Sequence, residues 1–132
     1  NLLGGDRCAT VGHLAALGSR IRGMAAQPSA KKAIAALSSC RRTVLLGPDH
    51  PFAVVGERIN PTGKKQLQAS LREGSLDLVQ QLAVEQEQRH AAVLDVNLGL
   101  SGIDEPAMML RTVRLLARLS PLPLCIDTTR PR

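Results

Sequence analysis

The sequence of 132 residues predicts an α/β fold built on a parallel sheet, from three observations. Three short apolar runs, Phe52-Ala53-Val54-Val55, Ala92-Val93-Leu94 and Leu122-Pro123-Leu124-Cys125-Ile126, are each too short for a helix and read as strands. Long amphipathic stretches separate them, giving the order strand, helix, strand, helix, strand. Within each run the apolar residues are consecutive rather than alternating, which is the pattern of strands covered on both faces by right-handed helical crossovers.

Each element has its own justification. His13-Leu14, Leu17 and Ile21 recur at helical spacing within residues 11–26, with Thr10 ahead of them as N-cap. Ser29 is placed to cap a second short helix running through Leu37. Thr43-Val44-Leu45-Leu46 reads as a short strand, and Gly47-Pro48-Asp49-His50-Pro51 is the densest turn cluster, so the domain boundary is placed there. Residues 63–72 then form a short helix, and Ser75 caps a longer one whose Leu78, Val79, Leu82 and Ala83 make one apolar stripe. Asp104-Glu105-Pro106 opens the last helix with an N-cap, an acid at the positive end of the dipole and a proline in the first turn. Met108, Met109, Val113, Leu116 and Ala117 are its inward residues, the methionines acting as core filler.

Composition narrows the function classes. Hydrophobic residues make up 44% of the chain, a globular share, and no run of about 18 apolar residues is present, so no membrane partner is expected. The net charge of +6 sits mainly in residues 1–51, with seven basic and two acidic side chains against ten and nine in residues 52–132. Lys31-Lys32 and Arg41-Arg42 could face phosphates, but nucleic-acid grooves add aromatic stacking platforms, and the chain has one Phe, no Trp and no Tyr. No nucleic-acid partner is therefore expected, and the basic pairs read as a solvated linker. Cys8, Cys40 and Cys125 show neither CxxC spacing nor an even count, which fits a reducing cytoplasm rather than a disulfide scaffold or a self-contained zinc site. The absence of an initiator Met and the stop at Arg132 just after a strand are read as marks of a fragment.

The polar residues that follow each strand carry the functional signal. The first strand runs into Gly56-Glu57-Arg58-Ile59-Asn60-Pro61-Thr62-Gly63-Lys64-Lys65, the second into Asp95-Val96-Asn97-Leu98-Gly99, and the third into Asp127-Thr128-Thr129. In α/β folds, ligands gather at the carboxyl ends of the strands. A partly buried carboxylate there needs a partner, and a flat heterocycle with two parallel N–H donors satisfies Asp95 or Asp127 by a bidentate hydrogen bond. Asn97, two residues after Asp95, lies on the same side of the strand and offers a donor and an acceptor. The alternative reading has these residues capping the following helices and pairing with Arg58.

Together the three motifs, in this order and at these separations, resemble the pterin-binding domain of the cobalamin-dependent methionine synthase and methyltetrahydrofolate:corrinoid methyltransferase family. The resemblance covers residues 52–132 and implies a partial TIM (β/α)8 barrel, its first three βα units preceded by an N-terminal helical linker. It implies methyltetrahydrofolate as methyl donor, held in the barrel mouth, and a cobalamin or other corrinoid, carried by another domain or protein, as acceptor of the N5-methyl group. By the resemblance, Asp95 and Asp127 fall on the family's pterin-binding aspartates and Asn97 on its second-strand asparagine. Glu57, Arg58 and Asn60 fall on the first-strand loop, where they either touch ligand or brace the mouth. The catalytic residues that assist at N5 are expected on later strands, beyond Arg132. Where the family ends a helix with Gly before the second strand, this chain has Arg89-His90-Ala91, so His90 is expected to take a strained left-handed cap.

Residues 1–20 carry a second resemblance. Asn1-Leu2-Leu3-Gly4-Gly5, Thr10 and His13-Leu14 are similar to the closing motif of the zinc-dependent homocysteine methyltransferase barrel. Asp6 and Arg7 stand where that motif has its two zinc-binding cysteines, so no zinc site is expected. The resulting organisation is a homocysteine methyltransferase-like tail over residues 1–20, a linker over 21–51 and the start of a pterin barrel over 52–132. The expected activity is that of a methionine synthase-like methyltransferase, with these residues inactive by themselves. The alternatives are a dihydropteroate synthase-like enzyme, against which Glu57-Arg58-Ile59-Asn60 argues, and a non-catalytic pterin or corrinoid-protein docking module.

Overall fold

A computed structural model describes residues 8–25 and 35–129. The chain divides into two compact units between Ala33 and Ile34.

In the first unit, α1 (Val11–Ile21) starts at a capping box. The Thr10 hydroxyl accepts from the His13 amide at 3.3 Å, and His13 Nδ1 accepts from the Thr10 amide at 3.2 Å, which gives His13 a local structural role. The helix is shorter than its apolar spacing predicts. Gly23, at φ 83°, turns the chain just after Arg22, and the Met24 amide closes that turn on the Ile21 carbonyl at 3.0 Å.

The second unit begins with a hairpin of β1 (Ala35–Ser38) and β2 (Thr43–Leu46), antiparallel with Ser38 opposite Thr43. The strand at 43–46 agrees with the sequence reading. The helix read through Leu37 does not, because residues 35–37 are strand; Ser29 lies outside the described residues. Alanine and leucine favour helix locally, but the ladder to β2 satisfies their backbone groups in the extended form. Arg41, read from sequence as part of a solvated linker, has defined partners. Its guanidinium donates to the carbonyls of Arg118 and Ser120 at 3.1 and 2.9 Å, with a longer contact of 3.4 Å to Ala117. It thus caps the carboxyl end of α4 (Glu105–Leu119), where orphan carbonyls and the dipole favour a cation. Ser39 Oγ adds a 2.6 Å hydrogen bond to the Pro121 carbonyl.

The remainder is a mixed α/β unit with a three-stranded parallel sheet in the order β3 (Val55–Ile59), β4 (Val93–Asn97), β5 (Leu124–Asp127). Between β3 and β4 run α2 (Lys65–Arg72) and α3 (Asp77–Gln88), and α4 joins β4 to β5. Parallel pairing and the helical crossovers agree with the sequence; the described residues form no closed barrel. Ile59, Leu94 and Val96 from the sheet pack with Leu67, Leu71, Val79, Ala83, Met108 and Leu116 from the helices.

Three sequence expectations are corrected. The first strand lies at 55–59 rather than 52–55: Phe52 is 93% exposed, and Glu57 and Arg58 belong to the strand, not to the loop after it. As a sheet edge, β3 needs no apolar residue at either exposed position. Its register shifts between Gly56 and Ile59, and the Arg58 amide is taken up by buried Gln86 Oε1 at 2.7 Å. The same carboxamide leaves no room for a side chain at Gly56, whose added Cβ would lie 2.6 Å from Gln86 Oε1. The third strand starts at Leu124, and its Cys125 and Ile126 are exposed, since β5 is the other edge of this sheet. On α4 the inward stripe is Met108, Thr112 and Leu116, while Ala117 is exposed.

Other local readings agree. Asp104 Oδ1 caps α4 on the Ala107 amide at 3.1 Å. Ser75 Oγ accepts from the Asp77 amide at 3.2 Å as α3 begins, although Leu76 holds the N-cap position. His90 has φ 64°, the left-handed turn expected between α3 and β4.

Candidate functional site

Parallel register fixes which polar side chains meet. On β4, Leu94 and Val96 are buried towards the helices, so Asp95 and Asn97 project from the opposite face, where both are half-buried. Asp95 is level with Cys125 and Asn97 with Asp127 on β5. The four side chains therefore form a two-by-two patch at the carboxyl end of the sheet.

Asn97 organises this patch. Its Nδ2 donates to Asp127 Oδ2 at 2.8 Å, and its Oδ1 accepts from the Gly99 amide at 2.9 Å. The second contact fixes which end of the carboxamide faces the carboxylate, so Asp127 is held by a charge-assisted hydrogen bond with one oxygen engaged. A hydrogen bond from Cys125 to Asp95 raises the thiol's pKa above its ordinary 9.0, assisted by burial and by the negative charges of Asp95 and Asp127. The patch thus presents acceptor-rich carboxylates with an amide between them, a set of acceptors suited to the N–H edge of a flat heterocycle.

Asn60 serves the loop. Its Oδ1 accepts from the Thr62 amide at 3.0 Å, forming an Asx-type turn, and its Nδ2 reaches Glu57 Oε1 at a long 3.5 Å. Of the two roles open to it from sequence, bracing is the one its contacts perform. Glu57 is exposed on β3, and the Arg58 guanidinium pairs with no carboxylate among the described residues. The helix that follows β4 is capped by Asp104 rather than by Asp95.

Sequence reasoning did not single out Cys125 or the bond from Thr128 Oγ1 to Glu105 Oε1 at 2.7 Å, which ties the end of β5 to the start of α4. Cys125 carries a signal that was available, since it lies two residues before Asp127 and shares its face. The Thr128 contact spans 23 residues and leaves no local trace. Asp6 and Arg7, which replace the zinc cysteines of the homocysteine barrel motif, lie outside the described residues.

No family model matches the chain.

Proposed function

We propose that this chain supplies the first three βα units of a (β/α)8 barrel that binds methyltetrahydrofolate and passes its N5-methyl group to a corrinoid on another domain or protein. The observation that carries the reading is the alignment of Asp95, Asn97 and Asp127 on one sheet face at the carboxyl pole, with Asn97 and Asp127 joined at 2.8 Å. The ordered strand-end motifs, Gly56-Glu57-Arg58-Ile59-Asn60, Asp95-Val96-Asn97 and Asp127-Thr128-Thr129, support it independently.

In this reading Asp95 and Asp127 accept the paired N–H donors of the pterin's aminopyrimidinone edge. Asn97, locked by Gly99 and Asp127, keeps one N–H for the ring. The role of these residues is orientation, since a ring held flat on a rigid strand surface directs its N5 substituent along one line. A corrinoid, when bound, would supply the methyl acceptor, and release of the tertiary amine would need a proton or a strong hydrogen bond at N5.

The test is the affinity of the intact protein for methyltetrahydrofolate. Asp127→Ala removes a charged acceptor and should weaken binding by about 10- to 100-fold. Asp127 is an exposed strand end, so the same variant should unfold at an unchanged temperature. Unchanged affinity overturns the reading.

A further inference from the structure

Beyond its first turn, α4 carries charge of one sign only, on Arg111, Arg114 and Arg118. Spaced at i, i+3 and i+7, they share one face of the helix, and all three are exposed. A solvated helix face ordinarily mixes both signs, because like charges three and four residues apart repel. Here α4 keeps that repulsion and offers no acidic residue within a turn of them. Arg41, seated on the Arg118 and Ser120 carbonyls, adds a further positive charge at the end of the row.

The row borders an open groove of about 660 Å3 between α4 and the start of α3, with half-buried Leu76 and Leu115 as its apolar lining. Arg111 is fixed in place by its 2.9 Å hydrogen bond to the Gly74 carbonyl. The side chains of Arg114 and Arg118 have no hydrogen-bond or ion-pair partner among the described residues. Asp77 is the one carboxylate in the lining, and its Oδ2 already accepts from Ser75 Oγ at 3.0 Å. Because the groove lies between α3 and α4, a further βα unit added at the free edge of β5 would leave it open.

We propose that this groove docks an acidic amphipathic helix of a partner protein, its carboxylates paired with Arg111, Arg114 and Arg118 and its apolar side chains set against Leu76 and Leu115. The arginines rise along α4 in steps of ~4.5 and ~6 Å, and acidic residues at i, i+3 and i+7 of a partner helix repeat those steps. Each guanidinium presents a planar fork that matches a carboxylate. A nucleic-acid strand supplies phosphates but no apolar ridge for the two leucines. A second copy of this chain is a poorer occupant, since each copy has a net charge of +6.

The test is equilibrium binding of the intact protein to a labelled amphipathic peptide with leucines on one face and glutamates at i, i+3 and i+7 beside them. A peptide of the same composition in scrambled order is the control. The patterned peptide should bind about tenfold tighter, since several partly exposed ion pairs each add a modest increment, and the gain should shrink as salt rises. Arg114→Glu combined with Arg118→Glu should abolish that gain without loss of fold, because neither side chain has a contact to lose. Lys64→Glu combined with Lys65→Glu, which changes the net charge equally at the start of α2, should preserve it. Equal binding of the two peptides, or an equal loss in both double variants, shows that net charge alone attracts the peptide and overturns the proposal. Tighter binding of tripolyphosphate than of the patterned peptide, lost in the Arg114 and Arg118 variant, makes the row a phosphate site and also overturns it.

Discussion

From Leu94 to Asn97 the two faces of β4 follow opposite rules. Towards the helices, Leu94 and Val96 are fully buried, and the neighbouring Ile59, Leu71 and Leu116 are equally inaccessible. Towards the other side, Asp95 and Asn97 meet Cys125 and Asp127, all polar or polarisable and none fully buried. Alternation of side chains along a strand makes this possible, because one face can be spent on packing while the other carries chemistry. The contrast teaches that packing and the proposed recognition fall on residues of opposite parity from Leu94 onward, and substitutions on the two faces should move different observables.

The largest expected effect belongs to the helix side. Leu94→Ala removes a fully buried side chain from a close-packed cluster and should destabilise the fold by about 3 kcal/mol, read from urea or thermal unfolding. Asp127→Ala, across the sheet on the next strand, should cost ligand affinity instead. If both variants unfold alike, the parity argument fails.

A smaller effect of opposite sign sharpens the same contrast. Thr112 on α4 is wholly buried, and its Oγ1 has no hydrogen-bond partner. A hydroxyl in that position retains its desolvation cost, so Thr112→Val, which keeps the branched shape, should raise stability by about 1 kcal/mol. A loss of stability would mean that the hydroxyl is engaged and that the helix side is less uniformly apolar than its packing implies.

How much of this was legible depends on how local the cause is. Parallel order and the Asp104 cap were legible from the local run of residues, whereas the left-handed turn at His90 was expected from the resemblance, which has Gly there, and not from His90 itself. The position of β3 was not, because Glu57 and Arg58 look like loop until the strand is known to lie at a sheet edge and to be served by Gln86, 28 residues away from Arg58. Arg41 as the cap of α4 was equally hidden, its contact with Ser120 spanning 79 residues. The strand-end motifs brought Asp95, Asn97 and Asp127 to notice together, but the Asn97 to Asp127 hydrogen bond depends on register, which no spacing within either motif encodes.

The smallest effect concerns the least obvious member of the patch. The hydrogen bond to Asp95 favours the protonated Cys125 thiol, and the nearby charges act in the same direction. A group whose pKa rises on folding adds stability that is complete below its unfolded value and is lost as pH climbs through the folded one. Here that loss falls above pH 9.0, the thiol's ordinary value, so at neutral pH the observable is reactivity rather than stability. Only the thiolate alkylates, so iodoacetamide should modify Cys125 slowly although the residue is exposed. Asp95→Asn removes the leading cause of the shift and should speed alkylation several-fold, as resolved at this cysteine by peptide mass spectrometry. Asp127→Asn removes only a charge effect and should speed it less. Equal acceleration by the two variants would show that charge alone sets the thiol, and that Asp95 is free to turn away from Cys125.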